Sequence, residues 1–395
     1  MIDPSVITGI GVVSPIGIGK KVFWNALIRK TSGIKEITKF DTTPYLCRRA
    51  AEITGFPFED FITGQRFRRA ADISRYAIGA VTLAIEDAGL KELNNRTSLI
   101  MGITHGAMNM SREFHRGLVS GDGASPMLFS DSVLNAPAGN VSVCFGIKGA
   151  SHTLVGGGPI GIRAIGFASD LLTTKRADIV IVGGAEEFDE VVHHSYSRFG
   201  YLCKGNELSP FDINRNGFVM GEGAGVLVLE RKKDALKRGA RIYAEVSGWD
   251  VGFSLNRSDE AMAKIMGKTL DKGGVEPDLI GYISSGANGS SLDYLETGAI
   301  KKLFKKAPAP FIGSIKPDIG EAFSATTILQ AVSASLVMES RMIPPNINLS
   351  TTHPEWHGLS IPIEVVKAPP IKAVMVNSIG IEGTCASLVM KRLEV

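Results

Sequence analysis

Cysteine is scarce: Cys47, Cys144, Cys203 and Cys385 are spread through 395 positions with no C-x-x-C pair. That spacing argues against a zinc site and a disulfide framework, and it fits a reducing cytoplasm. Long apolar runs are missing too. No stretch of about 18 uncharged apolar residues exists, so no segment is expected to span a membrane. The first residues, Met1-Ile-Asp-Pro-Ser-Val-Ile-Thr-Gly9, carry no basic region ahead of an apolar core and do not read as a signal peptide. Charge of one sign is missing as well: 43 Lys and Arg face 40 Asp and Glu, for a formal net charge of +3. So small an excess gives no footprint for nucleic acid. The densest basic cluster, Lys301, Lys302, Lys305 and Lys306, reads as a solvated helix face or as a docking point for an acidic partner.

What is present is ordinary globular material, 44% hydrophobic and 21% charged. Val6–Val13 reads as a buried strand broken by Ser14-Pro15-Ile16-Gly17. Phe23–Lys30 looks helical, and residues 33 to 70 look irregular. Asp72 is expected to cap a helix whose apolar face runs Ile73, Tyr76, Ala77, Ala80, Val81, Ala84, Ile85 and which Gly89 ends. Ser98–Ile103 is the next strand, and residues 104 to 140 form a Gly-, Ser- and Met-rich excursion of loops and short helices. Tyr201–Arg215 is a polar loop before the strand Val226–Leu229.

The second part repeats the plan. Leu99–Gly106 resembles Leu279–Gly286, the Ser151 region resembles Phe311–Ile315 with a helix after it, and Asp178–Gly183 resembles Ile371–Val376. Two related α/β halves, joined near Arg231–Ala244, are expected. Strand–helix alternation implies mixed or mostly parallel sheets covered by helices.

The chain is organised around Ser151–Leu172. A β-prone start runs into Gly156-Gly157-Gly158, then Pro159 and a helical pattern. Such a turn aims backbone N–H groups and the positive helix end at one point, which would activate a thiolate placed there. No nucleophile is placed there. Gly156, Gly158 and Gly161 also fit G-x-G-x-x-G with Glu186 downstream, a weak dinucleotide fingerprint. Elsewhere, Cys144 and Cys385 read as small core residues, and His193-His194 as polar surface. His353 and His357 are spaced i, i+4, but Pro354 spoils a helical metal site. Lys316 is an active-site cation or a plain surface charge.

Taken together, these stretches resemble the β-ketoacyl-acyl-carrier-protein synthases of the thiolase superfamily, synthase II-like, over nearly the full length. The resemblance is carried by Val6–Gly17, Ala177–Glu186, Ser209–Asp212 with Arg215–Gly225 and Val226–Glu230, Ser314-Ile-Lys316, and Asn377–Thr384. It implies a thiolase α/β fold: two duplicated halves, 1–240 (with the 104–140 excursion) and 241–395, in a five-layered α-β-α-β-α arrangement. It also implies a catalytic cysteine on the elbow with two histidines. This sequence places Gly158 at the cysteine, Gly286 at the first histidine and Glu321 at the second; only Lys316 persists. Ile381 stands at the gatekeeping phenylalanine and Glu382 replaces a glycine.

A scaffold so emptied resembles the chain-length factor, the β subunit of type II polyketide synthases. That family usually carries glutamine where Gly158 stands, so a divergent branch making aryl polyenes or anthraquinones is implied. The expectation is a non-catalytic subunit without cofactor or metal. It would pair with a catalytic ketosynthase and work with acyl carrier protein, through the strand after the elbow and the excursion. Met127, Phe129, Val133 and Ile381 are candidates for the tunnel or interface, or are simple core packing. Lys316 and Glu321 are expected to form a salt bridge. Two alternatives stay open: a divergent acyl-transfer or decarboxylating enzyme using Cys144, Glu321 or Lys316, and an acyl-binding homodimeric scaffold.

Overall fold

The computed structural model describes residues 3–393 apart from 62–66, 68, 122, 124 and 206. The irregular stretch expected over 33–70 lies partly outside the described residues. Ten strands carry the main sheet: β1 (Ser5–Ser14), β2 (Thr97–Ile103), β3 (Ser151–Val155), β4 (Ile179–Glu186), β5 (Gly223–Arg231), β6 (Ala244–Phe253), β7 (Ile280–Ser284), β8 (Phe311–Gly313), β9 (Ala373–Ile379) and β10 (Thr384–Lys391). A short strand, Gly17–Ile18, folds back on β1. The helices among the described residues are α1 (Lys20–Ile28), α2 (Asp72–Asp87), α3 (Met108–Ser120), α4 (Pro126–Ser132), α5 (Ala136–Phe145), α6 (Ile160–Thr173), α7 (Glu190–Arg198), α8 (Lys232–Lys237), α9 (Asp259–Gly273), α10 (Leu292–Leu303), α11 (Lys316–Ile319) and α12 (Phe323–Ser340).

From the centre outward, one set of strands runs β1-β5-β4-β2-β3 and the other β6-β10-β9-β7-β8. Each strand of the second set holds the place of the strand numbered five lower. The pairing sense repeats as well. The outer three strands of each set are parallel, and the inner ones join antiparallel. The two sets meet where Ser5–Ile7 of β1 pair with Ala244–Val246 of β6. The repeated stretches of sequence fall on matching strands: β2 with β7, β3 with β8, β4 with β9.

Alternation along the strands produces the layers. Leu99, Met101 and Ile103 of β2 and Val226 and Val228 of β5 face α2 and α5. Ile100, Leu227 and Leu229 point the other way, onto α6 and α12. In the second set Met375 and Val389 face α9 and α10, while Val374, Val376 and Leu388 face α6 and α12. Strands buried on both faces read as continuous apolar runs, as Ile179–Val182 does. Helices α6 and α12 therefore form the middle of a thiolase-like five-layer stack. Residues Phe323 to Met338 of α12 are all buried, as expected of a helix with no solvent face.

Two expectations change, and a choice left open is narrowed. Asp72 is the first residue of α2, not its cap; Ala71 stands at the cap. The Asp72 carboxylate lies 3.5 Å from Arg75, and an acid in a first turn suits the helix dipole without capping it. Second, β4, the strand after the elbow, is paired on both sides by β2 and β5 and offers no edge. On this side of the sheet the edge strand is β3, which enters the elbow and exposes Ser151, His152 and Val155. Third, the excursion helices α3 and α4 bury no residue.

Close approach of β1 to α2 depends on two glycines. A Cβ on Gly9 would lie 2.3 Å from the Ala84 carbonyl oxygen, and one on Gly11 would lie 1.8 Å from that of Ala80. Neither neighbour is a flexible side chain, so the layer itself would have to move. Gly11→Ala is expected to destabilise the protein by roughly 1–3 kcal/mol or more. Gly139→Ala, in α5 with nothing within 4 Å of its Cβ, should stabilise by about 0.5–1 kcal/mol. Urea denaturation of the two variants checks both signs.

Candidate functional site

At the elbow, β3 ends at Val155, Gly156–Gly158 make the turn, and Pro159 leads into α6. The Gly158 carbonyl accepts a hydrogen bond from Thr327 Oγ1 of α12 at 2.8 Å. That hydroxyl lies 3.1 Å from Ser378 Oγ of β9. Gly158, Lys316, Glu321, Ile381 and Glu382 line one cavity of about 30 Å³ together with Tyr196, Asn288 and Phe323. That volume admits a water or two and no acyl chain. A larger cavity, about 550 Å³, is lined by His105, Phe199, Tyr201 and Arg257. Tyr196, Ile381 and Glu382 line both cavities and form the wall between them.

The floor of the small cavity is an ion pair. Lys316 Nζ lies 2.7 Å from Glu321 Oε2, with both side chains almost wholly buried. Lys316 also donates to the Gly286 carbonyl at 2.6 Å. Glu321 accepts from Asn288 Nδ2 at 3.3 Å and from the Phe323 amide at 3.0 Å. So Gly286 stands behind the cavity and reaches it through the lysine. Both oxygens of the carboxylate thus meet donors fixed in the fold, which gives the pair a structural role. A carboxylate here would repel a developing oxyanion.

Sequence reasoning missed three features of this site. The Glu382 carboxylate presses on the backbone of the elbow: a Cβ on Gly157 would lie 2.6 Å from its Oε1, and one on Gly380 2.2 Å. Only the glycine-to-glutamate replacement signalled it. The hydroxyl pair of Thr327 and Ser378 carried no motif. Phe323 holds φ 45°, a left-handed backbone unusual for an aromatic residue. Its ring stacks on Tyr196 at 5.3 Å and meets His105 at 4.7 Å.

Other candidates lie apart. Glu186 does not await a ribose. It is buried, and it accepts from the backbone amide of His105 at 3.1 Å and from Ser324 Oγ at 2.7 Å. Gly161 serves helix packing, since a Cβ there would lie 2.8 Å from Thr327 Cβ. Cys144 sits half-buried near the end of α5, outside both cavities, and burial pushes its thiol up to about 11. Cys385 is buried as expected. His193 is not polar surface. It is fully buried against Phe40, Tyr45 and Phe188, and burial holds its imidazole down to about 4 against an opposing backbone contact with Cys47. His353 accepts from the Glu355 amide and lies 3.0 Å from Tyr294 Oη.

The lysine cluster is partly spent: Lys302 pairs with Asp259 and Glu260, and Lys301 donates to the Glu355 carbonyl. Met127 and Phe129 are exposed and Val133 half-buried, so none of the three is core packing. Phe129 leans on Phe114 at 5.4 Å, beside the exposed Leu118 and Val119. They form an apolar face far from Ile381 in the chain and absent from the lining of the elbow cavity.

Two duplicated strand sets around a buried helix pair, with a glycine elbow at its N-terminal end, define a thiolase-like condensing-enzyme scaffold. Within that class the chain belongs to the β-ketoacyl synthase family. The family's N-terminal domain matches residues 3–235 and its C-terminal domain residues 243–350. The chain is 32% identical to 3-oxoacyl-[acyl-carrier-protein] synthase 2 of Staphylococcus aureus (strain N315), over 98% of each protein. It is 30% identical to the protein of that name from Vibrio cholerae, over 98% of this chain and 99% of the relative. Among solved structures, the ishigamide ketosynthase/chain length factor superposes with a TM-score of 0.94 at 29% identity, covering all of both chains.

Two outcomes follow for the polar floor. Lys316→Met or Glu321→Leu alone should each destabilise by roughly 3–5 kcal/mol, because the partner's charge is left buried. The double variant should recover most of that loss, and urea denaturation of all three measures it. Asp293, buried in the first turn of α10, accepts from the amides of Asn288 at 2.9 Å and Gly289 at 3.2 Å. Burial pushes its carboxyl up to about 6, against the Asn288 amide, Arg215, the Phe211 amide and Lys316. The folded protein thus holds this proton more tightly than the unfolded chain. The stabilisation is complete below the ordinary value of 3.8 and is lost as pH rises through about 6. Asp293→Asn should therefore gain stability relative to wild type between about pH 4 and about pH 7, read by denaturation at each pH.

Proposed function

We propose that this chain is a non-catalytic, ketosynthase-like subunit of the chain-length-factor kind. It pairs with a cysteine-bearing β-ketoacyl synthase in cytoplasmic type II polyketide biosynthesis, on aromatic polyketides or aryl polyenes. The observation that carries this reading is the filled elbow. Gly158 offers no side chain, the cavity beside it holds about 30 Å³, and the Lys316–Glu321 pair and Glu382 line it. No thiol lines that cavity. Burial raises all four cysteines above the ordinary value, Cys47, Cys144 and Cys385 to about 11, so none is a ready thiolate.

The partnership rests on what surrounds the elbow. Strand β3 leaves an unpaired edge, and helices α3 and α4, the latter packed on α5 next to β3, expose Leu118, Val119, Met127 and Phe129. A free edge and an apolar face suit a like-folded partner. In this reading Met127, Phe129 and Val133 meet the partner and border its tunnel, while Ile381 helps close this subunit's own. Acyl carrier protein delivers its chain to the catalytic subunit. The likeness to the ishigamide ketosynthase/chain length factor supports this reading.

Co-expression with a cysteine-bearing ketosynthase, followed by native mass spectrometry, should give a one-to-one complex. Incubated alone with acyl carrier protein carrying an acyl thioester, the chain should gain no mass. Gly158→Cys should not restore acyl loading, because Glu321 and Glu382 remain. A covalent acyl adduct on the wild-type chain, or a stable homodimer that ignores every such ketosynthase, would overturn the proposal.

A further inference from the structure

We infer that the seam at the end of the sheet opposite the elbow binds a small diphosphate or phosphate ester bearing an apolar tail. Two adjoining cavities, of about 500 and 770 Å³, open there and share Lys232, Arg392 and Leu393. They lie where the start of β6, the C-terminal end of α12, the end of β10 and the segment before β9 converge.

Six cationic side chains line the pair: Lys232, Arg241, Arg341, Lys372, Lys391 and Arg392. Two carboxylates, Glu245 and Glu339, answer them. Arg241 pairs with Glu339, and Glu245 lies 3.5 Å from Lys391 and 3.9 Å from Lys232. Arg341, Lys372 and Arg392 are exposed, and no ion pair or side-chain hydrogen bond engages them among the described residues. Among the described residues of the lining, cations thus outnumber acids six to two in a protein whose whole formal charge is +3. An anion bridging them would relieve their mutual repulsion, and the guanidinium fork suits phosphate oxygens.

The floor is apolar. Leu236, Ile242 and Met338 face one cavity, and Leu279 and Ile371 the other. Concave walls with an apolar floor and converging charges, at several hundred Å³, fit a small molecule better than a flat protein partner. The site is separate from the elbow. Strand β9 begins at Ala373 in the groove and ends at Ile379 beside the elbow cavity, a span of roughly 20 Å. This inference therefore stands whether or not the proposed function does.

The test uses the full chain with pyrophosphate and decyl diphosphate as probes, read by isothermal titration calorimetry and thermal shift. Saturable one-site binding is expected, with decyl diphosphate about tenfold tighter than pyrophosphate. Both should weaken as salt is raised. Arg341→Gln, Lys372→Gln and Arg392→Gln combined should weaken binding at least about tenfold. A second readout needs no variant: decyl diphosphate should shield Lys372 of the wild-type chain from an amine-acylating reagent, followed by peptide mass spectrometry. Absence of saturable binding, unchanged affinity in the triple variant, or no shielding of Lys372 overturns the inference. So does a groove that takes up only an acidic protein or a nucleic acid.

Discussion

The buried pair between Lys316 and Glu321 is the contact on which the centre of the molecule rests. It ties together elements from three places in the chain. Lys316 reaches back to the Gly286 carbonyl after β7, and Glu321 holds Asn288 and the amide that begins α12. Helix α12 in turn holds the Gly158 carbonyl through Thr327. Charges so buried are stable only when every polar atom is answered, and here the answers come from backbone and side chains rather than from a substrate. Both charges line the small cavity beside the elbow, so the polarity of that cavity is set by groups already engaged with the fold.

Much of the fold was legible because its strands are buried on both faces. Runs such as Ile179–Val182 and Val226–Leu229 leave little choice but a sheet covered on both sides by helices, and the order in which they recur exposes the duplication. The elbow was legible as well, since three glycines between a strand and a helix admit few readings. The ion pair could be anticipated once Lys316 and Glu321 were aligned with a family. What stayed hidden depends on distance along the chain. Glu382 presses on Gly157, more than two hundred residues away, and no local pattern announces such a contact. His193 misled for a related reason. Polar residues on a short helix look solvated until Phe40, Tyr45 and Phe188 are known to surround the ring. Asp72 shows the opposite error, in which a favourable residue type was given a role one position too early.

The excursion between β2 and β3 also departs from its composition. Its apolar residues suggest core, yet α3 and α4 bury none of theirs. A helix that withholds an apolar face from its own core keeps it for some other surface. In the interior, burial holds the thiols of all four cysteines toward the protonated form.

Strand β3 carries a consequence for the cell. Its five residues form the outermost rung of the sheet and leave a row of amide and carbonyl groups unanswered along one side. Two copies with that row uncovered have each other as a ready match, rung against rung. Crowding of uncovered copies therefore favours edge-to-edge association, and the tendency grows with their concentration.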